Sequence, residues 1–192
     1  MALKESTMLA LGTPMLDFAL PDVRSQEMIR PKTFQGKAAL LVMFICRHCP
    51  YVVHVQDELT KLGCDYQDTD LGILGISSND AAGYPADAPQ RLQEMAEQLG
   101  WPFPFCYDET QDVAKAFTAA CTPDFFVFNR QRCLVYRGQL DGSRPGNGQP
   151  VTGQDLRAAL DAVLAGQPVS SQQRPSAGCN IKWKSGNEPD YA

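Results

Sequence analysis

The sequence predicts an α/β domain in which a central mixed β-sheet is flanked by helices. Two continuously apolar runs, "AALLVMFI" (38–45) and "LGILGISS" (71–78), have the composition of strands covered on both faces. Each run is followed by a stretch with apolar residues at helical spacing. Two further apolar segments, "DFFVFN" and "CLVYRG", are separated only by "RQR" and read as a hairpin. The resulting order, β-α-β-α then β-β-α, is that of a mixed sheet with helices on both faces.

Along the chain, the first thirty-odd residues read as short strands broken by proline. After the first apolar run, Val52, Val55, Leu59 and Leu62 mark one face of a helix, which Gly63 is expected to stop. In "DAPQRLQEMAEQLG", Asp87 is the expected N-cap, proline lies in the first turn, and Leu92, Met95, Ala96 and Leu99 form the apolar face. A short helix is expected over 111–120. The last helix lies in "TGQDLRAALDAVLAG", with Thr152 as N-cap and Gly166 beyond its end. Residues 1–166 are thus read as one domain. Residues 167–192 are polar, rich in proline and glycine and without periodicity. They also carry Cys179, Trp183 and Tyr191, so this tail is expected to dock on the domain.

A chain of 192 residues with 44% hydrophobic residues can bury a real core. The net charge of −5 and the lack of any long basic run argue against nucleic acid as a partner. The start of the chain lacks the features of a secretory signal, and no apolar run is long enough to span a bilayer. The expectation is a cytoplasmic protein with no membrane partner. Seven cysteines cannot all pair, and in a reducing compartment a disulfide is expected to be transient and catalytic.

The pair Cys46 and Cys49, in "MFICRHCP", stands where the first apolar strand ends and a helix begins. Backbone N–H groups converge there without partners, which favours a thiolate. Arg47 and His48, between the two cysteines, add positive charge or hydrogen-bond donors. Each effect lowers a cysteine pKa, and the thiolate is the reactive form. A zinc site fits poorly. His54 is five residues past Cys49, about 140° away around a helix, and no second Cys or His pair completes a tetrahedron. Neither metal nor another cofactor is therefore expected.

These residues resemble the thioredoxin-like superfamily, and within it the peroxiredoxin-like, redoxin-type (AhpC/TSA-related) bacterial proteins. The likeness covers roughly residues 10 to 166. "LGTPMLDFALPD" resembles the N-terminal segment of redoxins, and "MFICRHCP" stands where thioredoxins carry C-x-x-C. "CTPDFFVF" resembles the loop that holds a cis-proline opposite the active cysteines, which implies a cis Thr122–Pro123 bond. The tail segment "GCNIKWKSGNEPDY" resembles that of one group of bacterial redoxins. Two departures stand out. Where peroxiredoxins keep threonine or serine, three residues before the peroxide-attacking cysteine, this chain has Cys46. Their peroxide-binding arginine is replaced around Pro123.

The resemblance implies a thiol–disulfide oxidoreductase whose substrates are protein or low-molecular-weight disulfides and thiols, with an electron donor that the sequence does not specify. Cys46, placed nearer an exposed mouth, is expected to attack as a thiolate, and Cys49 to resolve the mixed disulfide. Arg47 and His48 should raise the potential above the value of about −270 mV typical of thioredoxin. One alternative is a peroxidase in which Cys49 becomes a sulfenic acid captured by Cys46. Another is a copper(I) chaperone of the Sco type. Cys121, two residues before Pro123, and Cys179 in the tail are candidate additional redox thiols. Cys64, Cys106 and Cys133 are read as structural. The loop 77–89 is expected to rim the site, with Tyr84 exposed. The buried acid that thioredoxins use for proton transfer has no counterpart in the strand 38–45.

Overall fold

In a computed structural model that describes residues 3–192, the chain opens with three short strands, β1 (Leu3–Glu5), β2 (Leu20–Pro21) and β3 (Met28–Ile29). The central βαβ unit follows: β4 (Ala39–Phe44), α1 (Pro50–Tyr66) and β5 (Leu71–Ser77). Next come α2 (Pro89–Gln98), β6 (Phe105–Tyr107), α3 (Asp112–Ala116) and β7 (Cys121–Thr122). The hairpin β8 (Asp124–Phe128) and β9 (Leu134–Gly138), the helix α4 (Gln154–Leu164) and the strand β10 (Ala177–Asn180) complete the chain.

The main sheet has the order β6-β5-β4-β8-β9. β4 is its centre, parallel to β5 and antiparallel to β8, with every residue buried. Successive side chains of a strand point to opposite faces, and both faces are covered. Leu41 and Met43 pack with Val52, Val55 and Leu59 of α1, Leu92 of α2, and Leu156 and Leu160 of α4. Leu40, Val42 and Phe44 pack on the other side with Ala114 of α3, Phe117 and the N-terminal residues Phe18, Leu20 and Ile29. The unbroken hydrophobicity of residues 38–45 follows from this double coverage.

Four local expectations are corrected. Gly63 lies inside α1 instead of ending it. A Cβ there would sit 3.0 Å from the Phe103 ring and from Pro102, so the glycine serves close packing. The last helix is capped at Gly153, with φ of 66°, and not at Thr152. The reason is Asp141, whose Oδ2 accepts both the Thr152 and Gly153 N–H groups at 2.6 and 2.7 Å. The helix expected over 111–120 stops at Ala116, because the chain turns at Thr118 with φ of 50°. Asp87 is not the cap of α2. That position belongs to Ala88, and the Asp87 carboxylate is drawn inward to the site described below.

A second, three-stranded sheet has the order β1-β10-β7. In it Cys179 stands opposite Thr122, and Leu3 opposite Cys179 on the other edge. Gly178 makes this approach possible, since a Cβ at that position would lie 2.0 Å from the Thr122 carbonyl oxygen and 2.7 Å from its carbon. Backbone cannot yield as a flexible side chain can. Gly178→Ala should therefore detach β10 from β7, by the same logic that makes overpacking destabilising by about 1–3 kcal/mol or more. Limited proteolysis checks this: cleavage near residues 170–185 should appear in the variant under conditions that leave the parent intact.

Candidate active site

β4 delivers Ile45 and Cys46 to its C-terminal end, where the Ile45 N–H is still bonded to the Ile76 carbonyl at 2.9 Å. The chain then folds around one carboxylate. Asp87 Oδ1 accepts the N–H groups of Arg47 and His48 at 2.8 and 3.2 Å. Its Oδ2 accepts Asn79 Nδ2 at 2.7 Å and His48 Nδ1 at 2.5 Å. This turn places Cys49 as the N-cap of α1, whose first residue, Pro50, has no N–H to leave unpaired. The two sulfurs are close enough that each shifts the other's acidity.

Opposite them is the cis Thr122–Pro123 bond. Thr122 Oγ1 is 3.3 Å from Cys46 Sγ, and the Thr122 carbonyl accepts the Cys49 thiol at 3.2 Å. Thr122 thus touches both sulfurs. β10 brings a third sulfur, Cys179, which stands opposite Thr122 and shares with Cys49 a mutual effect on acidity.

The sulfurs differ sharply in acidity. Cys49 is lowered to about 5, first by hydrogen bonding from Cys46; burial opposes this, and Cys179, Thr122 and the Val52 backbone add to it. Cys46 is raised well above the ordinary thiol value by burial, by donating to Cys49, and by the negative charges of Asp87 and Cys49. Cys179 is pushed up to about 12 by burial and by donating to Cys49. Cys49 is thus the most acidic of the three sulfurs, and its ionisation gives up the hydrogen bond to the Thr122 carbonyl.

The exposed mouth expected at Cys46 is not what the chain forms. Cys46 is 1% exposed and Cys49 is fully buried. Helix α1 starts at Pro50, so its first-turn N–H, on Val52, faces Cys49, while Asp87 supplies a negative charge next to Cys46. The burial follows from the rim and the tail. Tyr84, 40% exposed, stacks on His48 with centroids 5.3 Å apart, and Lys182 Nζ lies 5.7 Å from the Tyr84 centroid. Lys182 is itself fixed, with its N–H on Asn79 Oδ1 at 2.8 Å and its carbonyl receiving Asp80 N at 2.8 Å.

The remaining candidates separate clearly. Arg47 lines a cavity of about 300 Å³ with His48, Gln56, Ala86, Met95 and Leu99. Cys121 precedes Thr122 in β7 and is raised well above its ordinary value by burial first, then by the charge of Asp124, with a smaller push from Cys49. His54 bonds Ser143 Oγ at 2.8 Å and takes no part in the site. Arg137 is fully buried but committed elsewhere, 3.7 Å from Asp124 Oδ2 and donating to Thr7 Oγ1 at 2.6 Å. No arginine is among the groups that set the acidity of Cys49.

Among the described residues, the side-chain atoms of Cys46, His48 and Asp87 lie within 4.8 Å of one another, a spacing that could hold a metal ion. The hydrogen bonds account for it, because each Asp87 oxygen already receives two N–H donors. Asp87 is the functional candidate that sequence reasoning missed. Its only visible signal was a single acid in the proline-rich rim loop.

A cysteine pair at the end of a central strand, at the start of a helix and opposite a cis-proline, defines the thioredoxin-like class. The solution structure of a putative thioredoxin from Neisseria meningitidis shares this fold at 21% identity, with a TM-score of 0.62 over 81% of this chain and 92% of that one. More specifically, the chain belongs to the AhpC/TSA family, whose model matches residues 11–137. Two solved structures are much more alike. An uncharacterized conserved protein from Geobacillus kaustophilus is 53% identical, with a TM-score of 0.94 over 96% of this chain and 97% of that one. A hypothetical protein from Sinorhizobium meliloti 1021 is 47% identical, with a TM-score of 0.93 over 95% and 99%. No curated protein matches the chain. Family and fold together make the protein a redoxin, a thiol-dependent oxidoreductase in the general sense. No helix among the described residues is long and apolar enough to cross a membrane.

Proposed function

We propose that the protein is a thiol–disulfide oxidoreductase that cycles Cys46 and Cys49 between dithiol and disulfide, with Cys49 as the attacking sulfur. One observation carries this reading: Cys46 and Cys49 both reach Thr122, at 3.3 Å through its hydroxyl and 3.2 Å through its carbonyl, and of the two only Cys49 is lowered, to about 5. A Cys49 thiolate attacks a substrate disulfide, and Cys46 then displaces the remaining thiol to close the intramolecular disulfide. The burial of both sulfurs favours low-molecular-weight disulfides over folded protein substrates as partners. A hydrogen-bonded thiolate stabilises the reduced state, which supports a potential above the value of about −270 mV typical of thioredoxin.

Burial also gives specific support to a second reading, since hydrogen peroxide is small enough to enter. Cys49 would then become a sulfenic acid that Cys46 captures. Against efficient peroxide reduction stands the lack of an arginine at the thiolate.

Disulfide mapping by mass spectrometry tests the proposal. Reduced protein exposed to oxidised low-molecular-weight thiol should yield a Cys46–Cys49 linkage as its first product. An oxidised protein with both sulfurs free would contradict the reading. A companion result is expected from Cys179→Ala. Loss of one hydrogen-bond donor to the anion should move the Cys49 titration upward, by less than the loss of Cys46 does, because Cys46 is the larger contributor. Alkylation rate against pH checks this.

A further inference from the structure

We propose that His48 and Asp87 form the acid–base unit of this site, moving the proton of Cys46 during closure of the disulfide. The inference rests on the dithiol reading above and adds the residues that supply its proton transfer. Cys46 is the protonated member of the pair and cannot displace a thiol from Cys49 until its proton leaves. It is buried, so bulk water is not at hand. Its neighbours decide where the proton can go.

Asp87 and His48 are those neighbours: an Asp87 oxygen and a His48 ring nitrogen each lie within 4.8 Å of Cys46 Sγ, a span covered by one bridging water. Asp87 is fully buried and accepts two backbone N–H groups and the Asn79 amide. A carboxylate so occupied acts as an acceptor toward the imidazole as well. His48 Nδ1 therefore carries the hydrogen in the 2.5 Å contact, which leaves Nε2 with the lone pair in the neutral ring. That Nε2 atom is buried and has no hydrogen-bond partner in the protein. Tyr84 stacks on the ring and fixes its plane. The other charged groups facing the unit are Arg47, which lines a cavity with His48, Cys49, from the start of α1, and Lys182, reaching over Tyr84 from the tail.

The step balances without an external oxidant beyond the disulfide substrate. With the group R–S on Cys49, the Cys46 proton passes to His48, whose positive charge Asp87 stabilises. The Cys46 sulfur attacks Cys49 Sγ, the Cys46–Cys49 bond forms, and the Cys49–SR bond breaks. The leaving thiolate takes the proton from His48 and departs as R–SH.

Methyl methanethiolsulfonate, a small reagent that places a methylthio group on a thiolate, separates the two phases. Rapid-quench mass spectrometry follows formation of the Cys49 adduct and then its loss as methanethiol. In His48→Asn, whose amide nitrogen stands where Nδ1 does and keeps a donor for Asp87 but no titratable nitrogen, adduct formation should keep its rate. Loss of the adduct should slow on the order of 10²-fold at neutral pH and recover about tenfold per pH unit as hydroxide takes over the base role. In the parent protein, deuterium oxide should slow the second phase and not the first. A His48→Asn second phase with parental rate and pH profile, equal slowing of both phases, or a second phase insensitive to deuterium overturns the relay alone. An adduct that never resolves in the parent overturns the dithiol reading and the relay with it.

Discussion

Cys49→Ser should lose turnover of disulfide substrates by about 10³-fold or more, the scale seen when an attacking group is removed outright. Cys46→Ser should behave differently. It retains the sulfur that attacks, so it should take up one equivalent of substrate thiol and then stall as a stable mixed disulfide on Cys49. The asymmetry follows from which sulfur carries the charge. Cys46, Cys179, Thr122 and the Val52 N–H all make Cys49 more acidic, whereas Cys46 lies in the field of the Asp87 carboxylate. The same difference has a stability consequence with a fixed sign. Cys49 has its folded-state pKa lowered to about 5, so its contribution is present above the unfolded thiol value of about 8.5 and lost as pH falls through 5. Reduced parent protein should gain stability over Cys49→Ser as pH rises from about 5 to about 8.5. Above that, Cys46, whose pKa is raised, works in the opposite direction. Denaturant titrations of the two reduced proteins across this range measure the gain.

Arg137→Met should destabilise the fold by about 3–5 kcal/mol at neutral pH, the usual effect of stripping one partner from a buried ion pair. Arg137 is fully buried, lies 5.1 Å over the Phe126 ring, and faces Asp124, which follows the cis Thr122–Pro123 bond directly. The pair is loosely made, at 3.7 Å. Burial pushes Asp124 up to about 6 and pulls Arg137 down, in each case more strongly than the partner's charge acts the other way. An acid raised in this manner favours the folded state below its unfolded value of about 3.9, and that advantage is lost as pH rises through 6. The deficit of Arg137→Met should therefore shrink on acidification, when Asp124 takes up its proton and needs no counter-charge. Adding Asp124→Leu should recover part of the loss at neutral pH, although Ser6 then lacks its acceptor. Urea unfolding of the three proteins at about pH 7.5 and about pH 5 provides the comparison.

What the sequence made legible and what it hid divide along the range of the interactions. The unbroken apolar run of β4, the Pro50 start of α1 and the β8–β9 hairpin are local patterns, and each is read directly. "CRHCP" at a strand end, and "CTP" before a strand, are local too, and their likeness to redoxin motifs predicts that Cys46, Cys49 and Thr122 meet. The identity of the ionised sulfur was not local. It depends on a carboxylate from residue 87, a threonine from residue 122 and a thiol from residue 179, all brought together only by folding. The helix N-terminus pointed toward a thiolate at this junction but could not say which sulfur it favours. Asp87 was misread as a helix cap because an acid before proline has that local meaning, and nothing nearby reveals four donors converging on it. The covered site was missed for the same reason. A tail without periodicity carries no sign that Gly178 lets it approach Thr122, or that Lys182 will settle over Tyr84.

The most direct measurement is the ultraviolet absorbance of thiolate followed through a pH titration of the reduced protein and its Cys46→Ser and Cys49→Ser variants. A sulfur ionising near pH 5 is expected in the parent. It should persist at a higher pKa in Cys46→Ser and vanish in Cys49→Ser. An acidic thiolate that survives in Cys49→Ser and disappears in Cys46→Ser would place the anion on the other sulfur and contradict the account.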